Sequence, residues 1–313
     1  MFGVRFYWPQ QIDEWNRFVA ESKNGTFLFD RRYMDYHLER FHDYSMMFYD
    51  EKGFFAVLPA NLVGDTLFTH QGLTYGGLIM SQRTTTAMVR DLFSELNDSL
   101  RQEGIRRVVY KPVPWIYHRL PSEEPLYALT KVCKAKVVAR DVASVVVLDH
   151  RIPFTKLRRR GANKAARCGI RVEEMEDFAP FWTVLEDNLM TRYHTQPVHT
   201  LKEIELLKSR FPQNIRLFVA KSGGEVVGGT VLYISGSVVK TQYISSSEYG
   251  RQMGALDGLF SELLDRFALE GYRYFDFGTS NFKDSDDLHQ SLIFQKEGFG
   301  GRAICYDTYE WEL

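Results

Sequence analysis

Cysteine is sparse in this chain: Cys133, Cys168 and Cys305 are its only three, far apart and odd in number. Without a CxxC pair or a Cys/His ligand spacing, a disulfide framework and a structural zinc site are both excluded, and no metal is expected. Long apolar runs are missing as well. No segment approaches the ~20 residues that a helix needs to cross a bilayer, so no membrane span is expected. Neither sign of charge dominates, the formal net charge being −1. No global field therefore draws the molecule toward nucleic acid or an anionic membrane; a polyanion would have to meet a local basic patch. The opening Met-Phe-Gly-Val-Arg-Phe-Tyr-Trp-Pro-Gln lacks the basic region and apolar core of a secretory leader, so a reduced, cytoplasmic setting is expected. No Gly-x-Ser-x-Gly elbow or Cys–His signature occurs, which argues against a covalent intermediate.

What the chain does have is a copy of itself. Leu92 to Arg106 lies over Leu259 to Arg273 without a gap, and nine of the fifteen positions are identical. Trp15 and Trp182, and the segments 38–41 and 207–211, keep nearly the same offset. That offset is far longer than the roughly 20–50 residues of a solenoid repeat, so a whole domain is duplicated. The 313 residues suffice for two domains of about 150 each. The boundary is expected near 150, where Ile152-Pro153 interrupts the pattern, giving domains 1–150 and 151–313. Each half reads as helices, then a β-meander, then a loop, a helix and a further strand. In the second half Leu256, Leu259, Phe260, Leu263, Leu264 and Phe267 form one stripe at helical spacing. The fold class is α/β (α+β): mixed, mostly antiparallel sheets flanked by helices.

A strand ending in Tyr243-Ile-Ser-Ser-Ser leads into Gly250-Arg-Gln-Met-Gly-Ala255 and then an amphipathic helix. This order resembles the donor-binding motif of the GNAT superfamily, although Leu256 stands where that motif usually has Gly or Ala. Downstream, Tyr274-Phe-Asp-Phe-Gly-Thr-Ser280 and Leu292-Ile-Phe-Gln-Lys-Glu-Gly-Phe-Gly300 are similar to the end of FemAB-like proteins, which are tandem GNAT folds. The resemblance covers nearly the whole chain. It implies transfer of an acyl or aminoacyl group to an amine, with acyl-CoA or aminoacyl-tRNA as donor substrate and no tightly bound cofactor. The charged helical arm of the best-known members is not visible in this sequence, so tRNA is not the favoured donor.

On that resemblance Gly250, Arg251, Gln252, Met253, Gly254 and Ala255 are the donor-binding residues, their backbone N–H groups and the helix dipole meeting a pyrophosphate. An ordinary Gly-containing turn is the alternative. The corresponding Gln82 to Met88 lacks glycine, which makes the first domain the degenerate, acceptor-side partner. Lys296 resembles the family's lysine near the donor, or is a solvated surface lysine. Asp276, Tyr243 and His199 are candidates to position or deprotonate the amine; a strand-end carboxylate and a structural histidine are the competing readings. His70, Tyr75, Tyr193 and Gln242 are candidate substrate-binding residues, with a tight turn as the alternative at 70–77. The stretch Lys156 to Arg171 carries seven basic residues and no acid, and reads as a phosphate-binding face or as a solvated helix. The expected function is an N-acyltransferase acting on a small-molecule or peptide amine. A non-catalytic tandem-fold module that binds a cell-envelope precursor or a protein partner, an aminoacyl-tRNA-dependent peptidyltransferase, and an RNA-binding role through 156–171 are the alternatives.

Overall fold

In the computed structural model the described residues are 2–282 and 287–313, and the side chain of Tyr193 lies outside that set. The chain forms two compact units, Met1–Asp141 with Cys305–Leu313, and Val142–Ile304. Residues 142–150 thus lie with the second unit, and the C-terminal residues return to the first. The cause is apolar: Val146 and Leu148 are buried in the second core, and Trp311 in the first. Pro153 lies in the irregular segment 151–155 and does not divide the cores.

The first unit holds β1 (Gly3–Phe6), β2 (His42–Asp43), β3 (Met46–Asp50), β4 (Gly53–Leu58), β5 (Asn61–Val63), β6 (Thr66–Phe68), β7 (Ile79–Met80) and β8 (Arg107–Tyr110). Its longer helices are α1 (Ile12–Glu21), α2 (Arg31–Met34), α3 (Thr86–Gln102) and α4 (Glu124–Lys131). An antiparallel sheet runs β1-β3-β4-β7, and a mixed set of strands runs β8-β6-β5-β2, with β8 and β6 parallel. Thr85 starts α3 by accepting the Met88 N–H on its hydroxyl, and the helix buries Val89, Leu92, Phe93, Leu96 and Leu100. Those residues sit 3 or 4 apart, so one face of the helix meets the core.

Strand β9 (Lys136–Val147) carries the chain onward to α5 (Lys156–Arg167), β10 (Arg171–Met175), α6 (Ala179–Tyr193) and α7 (Leu201–Arg210). There follow β11 (Ile215–Ser222), β12 (Glu225–Ser235), β13 (Val238–Ser246), α8 (Glu248–Met253), α9 (Ala255–Leu269), β14 (Tyr274–Thr279), α10 (Gln290–Gly298) and β15 (Arg302–Glu312). The second unit's sheet has the order β10-β11-β12-β13-β14-β9. Every neighbouring pair in it is antiparallel except β13 with β14. Helix α9 lays Leu259, Phe260, Leu263, Leu264 and Phe267 onto this sheet, against Phe218, Phe275 and Phe277. Each such side chain contributes about 1.5–3 kcal/mol when fully buried. The mixed, mostly antiparallel architecture with flanking helices is the one expected from the sequence.

Candidate functional site

Strands β13 and β14 hold together for only three rungs. Val238 faces Tyr274, Val239 faces Phe275 and Lys240 faces Asp276, after which the pairing stops. Both strands continue, β13 to Ser246 and β14 to Thr279. A bulge helps them part: Val231 pairs with Tyr243 but Leu232 pairs with Thr241, so Gln242 has no partner in the ladder. An extra residue in one strand bends it and re-aims its side chains. The gap is a cavity of about 450 Å³ whose walls include Gln242, Leu256, Phe260 and Phe277. Four cations, Arg192, Lys240, Arg251 and Lys296, also line it, and among the described residues no carboxylate does.

At the point where the strands diverge lies a buried charge cluster. Asp276 is completely buried and accepts the Gly278 N–H at 2.7 Å. Lys296, from the last turn of α10, donates to the carbonyl oxygens of Gly278 at 3.0 Å and Thr279 at 2.6 Å. Lys240 donates to Oε1 of Gln242 at 3.1 Å. Burial pushes the Lys296 ammonium down to about 8; Asp276 opposes that shift and Lys240 adds to it. Burial also lowers Lys240, again with Asp276 opposing. Removing a cation from water favours its neutral form. Lys296 is therefore not a solvated surface lysine, since only 5% of it is exposed. Sequence reasoning missed Lys240, although one lysine inside the apolar run Val238-Val239-Lys240 is a readable signal.

The glycine motif is built differently from the loop expected of it. Glu248–Met253, and with it Gly250, Arg251, Gln252 and Met253, is a short helix started by the Ser247 hydroxyl, which accepts the Gly250 N–H at 3.1 Å. Gly250 is needed for packing, because a Cβ there would run into the Val227 carbonyl. Only Gly254 is a turn residue: at φ 75° it ends α8 and begins α9. A side chain on it would also meet the Gly161 carbonyl at 2.6 Å. Gly161 and Ala165 of α5 press against Asp257 and Gly258 of α9, and Arg158 pairs with Asp257 at 2.6 Å. One side of the basic segment 156–171 is thus packed, while Lys156, Arg159, Arg160, Lys164 and Arg167 remain exposed. The first N–H groups of a helix have no intrahelical partner. In α9 they belong to Ala255, Leu256 and Asp257, and no side chain caps them. Arg251 stands nearby on the cavity wall, its guanidinium held by Oδ1 of Asn188 at 3.0 Å and the Ser246 carbonyl at 2.8 Å.

The three candidate catalytic residues separate. Asp276 lies behind the lysines and does not line the cavity. Tyr243 and His199 are not on its wall either. They hold each other, the tyrosine hydroxyl lying 2.5 Å from His199 Nδ1 and accepting the His199 N–H at 3.1 Å. The Trp182 ring packs edge-on against Tyr243. Of the substrate-binding candidates, Gln242 lines the cavity. Tyr193 is the last residue of α6, and its side chain is outside the described set. His70 and Tyr75 belong to the first unit's interior, at 5% and 2% exposure. Tyr75 packs on Tyr117. His70 packs beside His37 and Phe41 at φ 73°, and burial holds it neutral, down to about 4. Glycine-rich sequence around them marks close packing at Gly72 and Gly76.

Residues 155–285 match the model of the family described as Acetyltransferase (GNAT) domain. No curated protein matches the chain. Among solved structures, FemX is 12% identical with a TM-score of 0.68, over 99% of this chain and 97% of its own. The L-PGS of Bacillus licheniformis is 14% identical, TM-score 0.61, over 97% and 91% of the two chains. A tandem GNAT protein from the clavulanic acid biosynthesis pathway is 11% identical, TM-score 0.52, over 100% and 98%. Identities this low establish shared architecture and leave the ligands to be argued from the residues. Among the described residues no helix is long and apolar enough to cross a membrane.

Proposed function

Since this chain carries a GNAT acyltransferase domain within a FemAB-like tandem fold, we propose that it moves an acyl group from a CoA-type thioester to an amine. The observation that carries this reading is the cavity between β13 and β14. Its walls bring together Arg251, Leu256 at the uncapped start of α9, and the buried lysines. A helix start with free N–H groups favours a phosphate, and a nearby guanidinium adds a charge-assisted contact. The donor-binding role falls to the second unit, and the acceptor-side role to the first.

The chemistry asked of the protein is modest. A neutral amine attacks the thioester carbonyl, negative charge builds on its oxygen, and the thiolate leaves. Lys296 is the group that stabilises the oxyanion and then protonates the thiolate. Its proton affinity, near 8, matches that of a thiol at about 8.5, so neither proton position is strongly disfavoured. The proton that the new amide nitrogen sheds returns to Lys296, and the balance closes. Asp276 acts as a positioning residue that keeps both lysines in place. His199 and Tyr243 fix the strand beside the bulge at Gln242.

Calorimetry with acetyl-CoA tests the reading, with Arg251→Gln as the control. Gly254→Asp is a poor probe, because the strained φ and the Gly161 carbonyl make it a folding variant. Micromolar binding weakened in Arg251→Gln is expected. Heat changes absent for every CoA species would remove the donor assignment. A second reading, an aminoacyl donor carried on tRNA, draws on the exposed basic face of α5; it requires affinity that falls steeply with added salt.

A further inference from the structure

The cavity wall holds more positive charge than transfer of a simple acyl group needs. Two lysines share one carboxylate there, and Asp276 faces the lysines without reaching the cavity wall. The side chains are nearly closed off from solvent, at 8% for Lys240 and 5% for Lys296. A buried charge without a partner is costly, and it selects for a ligand that supplies the opposite sign. An ammonium has three N–H donors. Lys296 directs two of them at Gly278 and Thr279. Lys240 directs one at Gln242, and its Thr241 contact is long at 3.4 Å. Each keeps donor capacity toward the cavity.

A thioester carbonyl occupies one of the two lysines. An acetyl group offers nothing to the other. The remaining lining gives no competing anion: among the described residues every charged side chain on this wall is a cation. The two arginines stand on other elements than the lysines, Arg251 on α8 and Arg192 in the last turn of α6, and suit the donor's phosphates.

We propose that Lys240, beside the carbonyl-binding Lys296, forms a carboxylate subsite, and that the acyl group this protein accepts carries a free carboxylate, as a dicarboxylic monoacyl thioester does. The proposal rests on the donor reading above and goes beyond it by naming the class of acyl group. No step of the transfer changes: the carboxylate is a recognition element, and the bond made and broken are those already described. Lys240 is its specificity-determining residue, because it contacts the distal carboxylate and leaves the reacting carbonyl to Lys296.

The test is calorimetry of the full chain with acetyl-CoA, succinyl-CoA and the neutral succinamoyl thioester, repeated on Lys240→Gln. Succinyl-CoA is expected to bind about tenfold more tightly than the other two. In Lys240→Gln that preference should vanish, so that succinyl-CoA binds no more tightly than acetyl-CoA or the succinamoyl thioester. Equal affinity of all three in the native chain overturns the subsite and leaves the donor reading standing. A succinyl preference that survives in a folded Lys240→Gln also overturns it. Failure of every CoA species to bind removes both. Should Lys240→Gln fail to fold, the comparison of the succinyl and succinamoyl thioesters in the native chain decides alone.

Discussion

Helices α3 and α9 descend from the same repeated segment and start in opposite ways. In the first unit Thr85 caps α3, its hydroxyl taking the Met88 N–H. In the second, Gly254 begins α9 at φ 75° with no side-chain cap at all. A hydroxyl cap satisfies a backbone donor that an anion would otherwise meet. Glycine leaves those donors open and lets α5 approach. The two copies therefore kept the same helix while only one kept a vacant start. Their buried charges differ in the same direction. In the first unit Arg31 is matched by Asp35 and Asp43, so its positive charge is already answered within the chain. In the second, Lys240 and Lys296 share Asp276 as the one carboxylate that acts on both among the described residues. A binding function is legible where compensation is incomplete.

The sharpest way to break this contrast is Lys296→Met. Loss of transfer by about 10²–10⁴-fold is expected, measured as kcat/KM at pH 7 with an acyl-CoA and a panel of amines, on a variant shown by circular dichroism to be folded. Retained activity would leave the lysine a structural group. Because the working form of Lys296 is protonated, the native rate should also fall as pH rises through about 8.

The shared helix face offers a matched pair. Leu96 and Leu263 are equivalent in the repeat, at 3% and 0% exposure. Each changed to Ala should cost about 2–5 kcal/mol in urea unfolding. A much smaller loss at one of them would mean that the two copies do not load this face alike.

Next comes His70, a first-unit residue. Its folded value of about 4 lies below the 6.5 of the unfolded chain. The unfolded state thus binds the proton first, and stability is lost as pH falls from about 6.5 toward 4, by up to about 3 kcal/mol. Asparagine tolerates positive φ, so His70→Asn should fold and flatten that part of the pH–stability curve. An unchanged acid limb would assign the loss elsewhere.

The smallest effect is expected at the Thr85 cap. Thr85→Ala should cost about 1 kcal/mol. Gly254→Ala should cost more, because it meets both an unfavourable φ and the Gly161 carbonyl. Equal losses would erase the distinction drawn between the two helix starts.

Local pattern explains what was readable in advance. The apolar stripes of α3 and α9 and the strands after them follow from spacings within a dozen residues, and the duplication doubled that signal. Gly250 and Gly254 were read as a loop because glycine usually marks one. The Ser247 cap and the closeness of β12 put Gly250 inside a helix instead, and leave Gly254 alone as the turn, pressed by α5; neither cause lies in the motif itself. Lys296 was noticed by resemblance, but its burial depends on the carbonyls of Gly278 and Thr279. Lys240 escaped notice because its meaning comes from a strand 36 residues away.

By itself, then, the amino-acid order determined the class of fold, the repeat, the helix faces and the segment that carries the donor motif. Those are properties of periodicity, and periodicity is local. Tertiary structure alone decided that β13 and β14 part after Lys240 and Asp276, that Gln242 stands out of the ladder, and that His199 with Tyr243 lies off the cavity wall. It also sent residues 305–313 back to the first unit. Each of these depends on which distant backbones come to lie side by side, and no spacing along the chain encodes that directly.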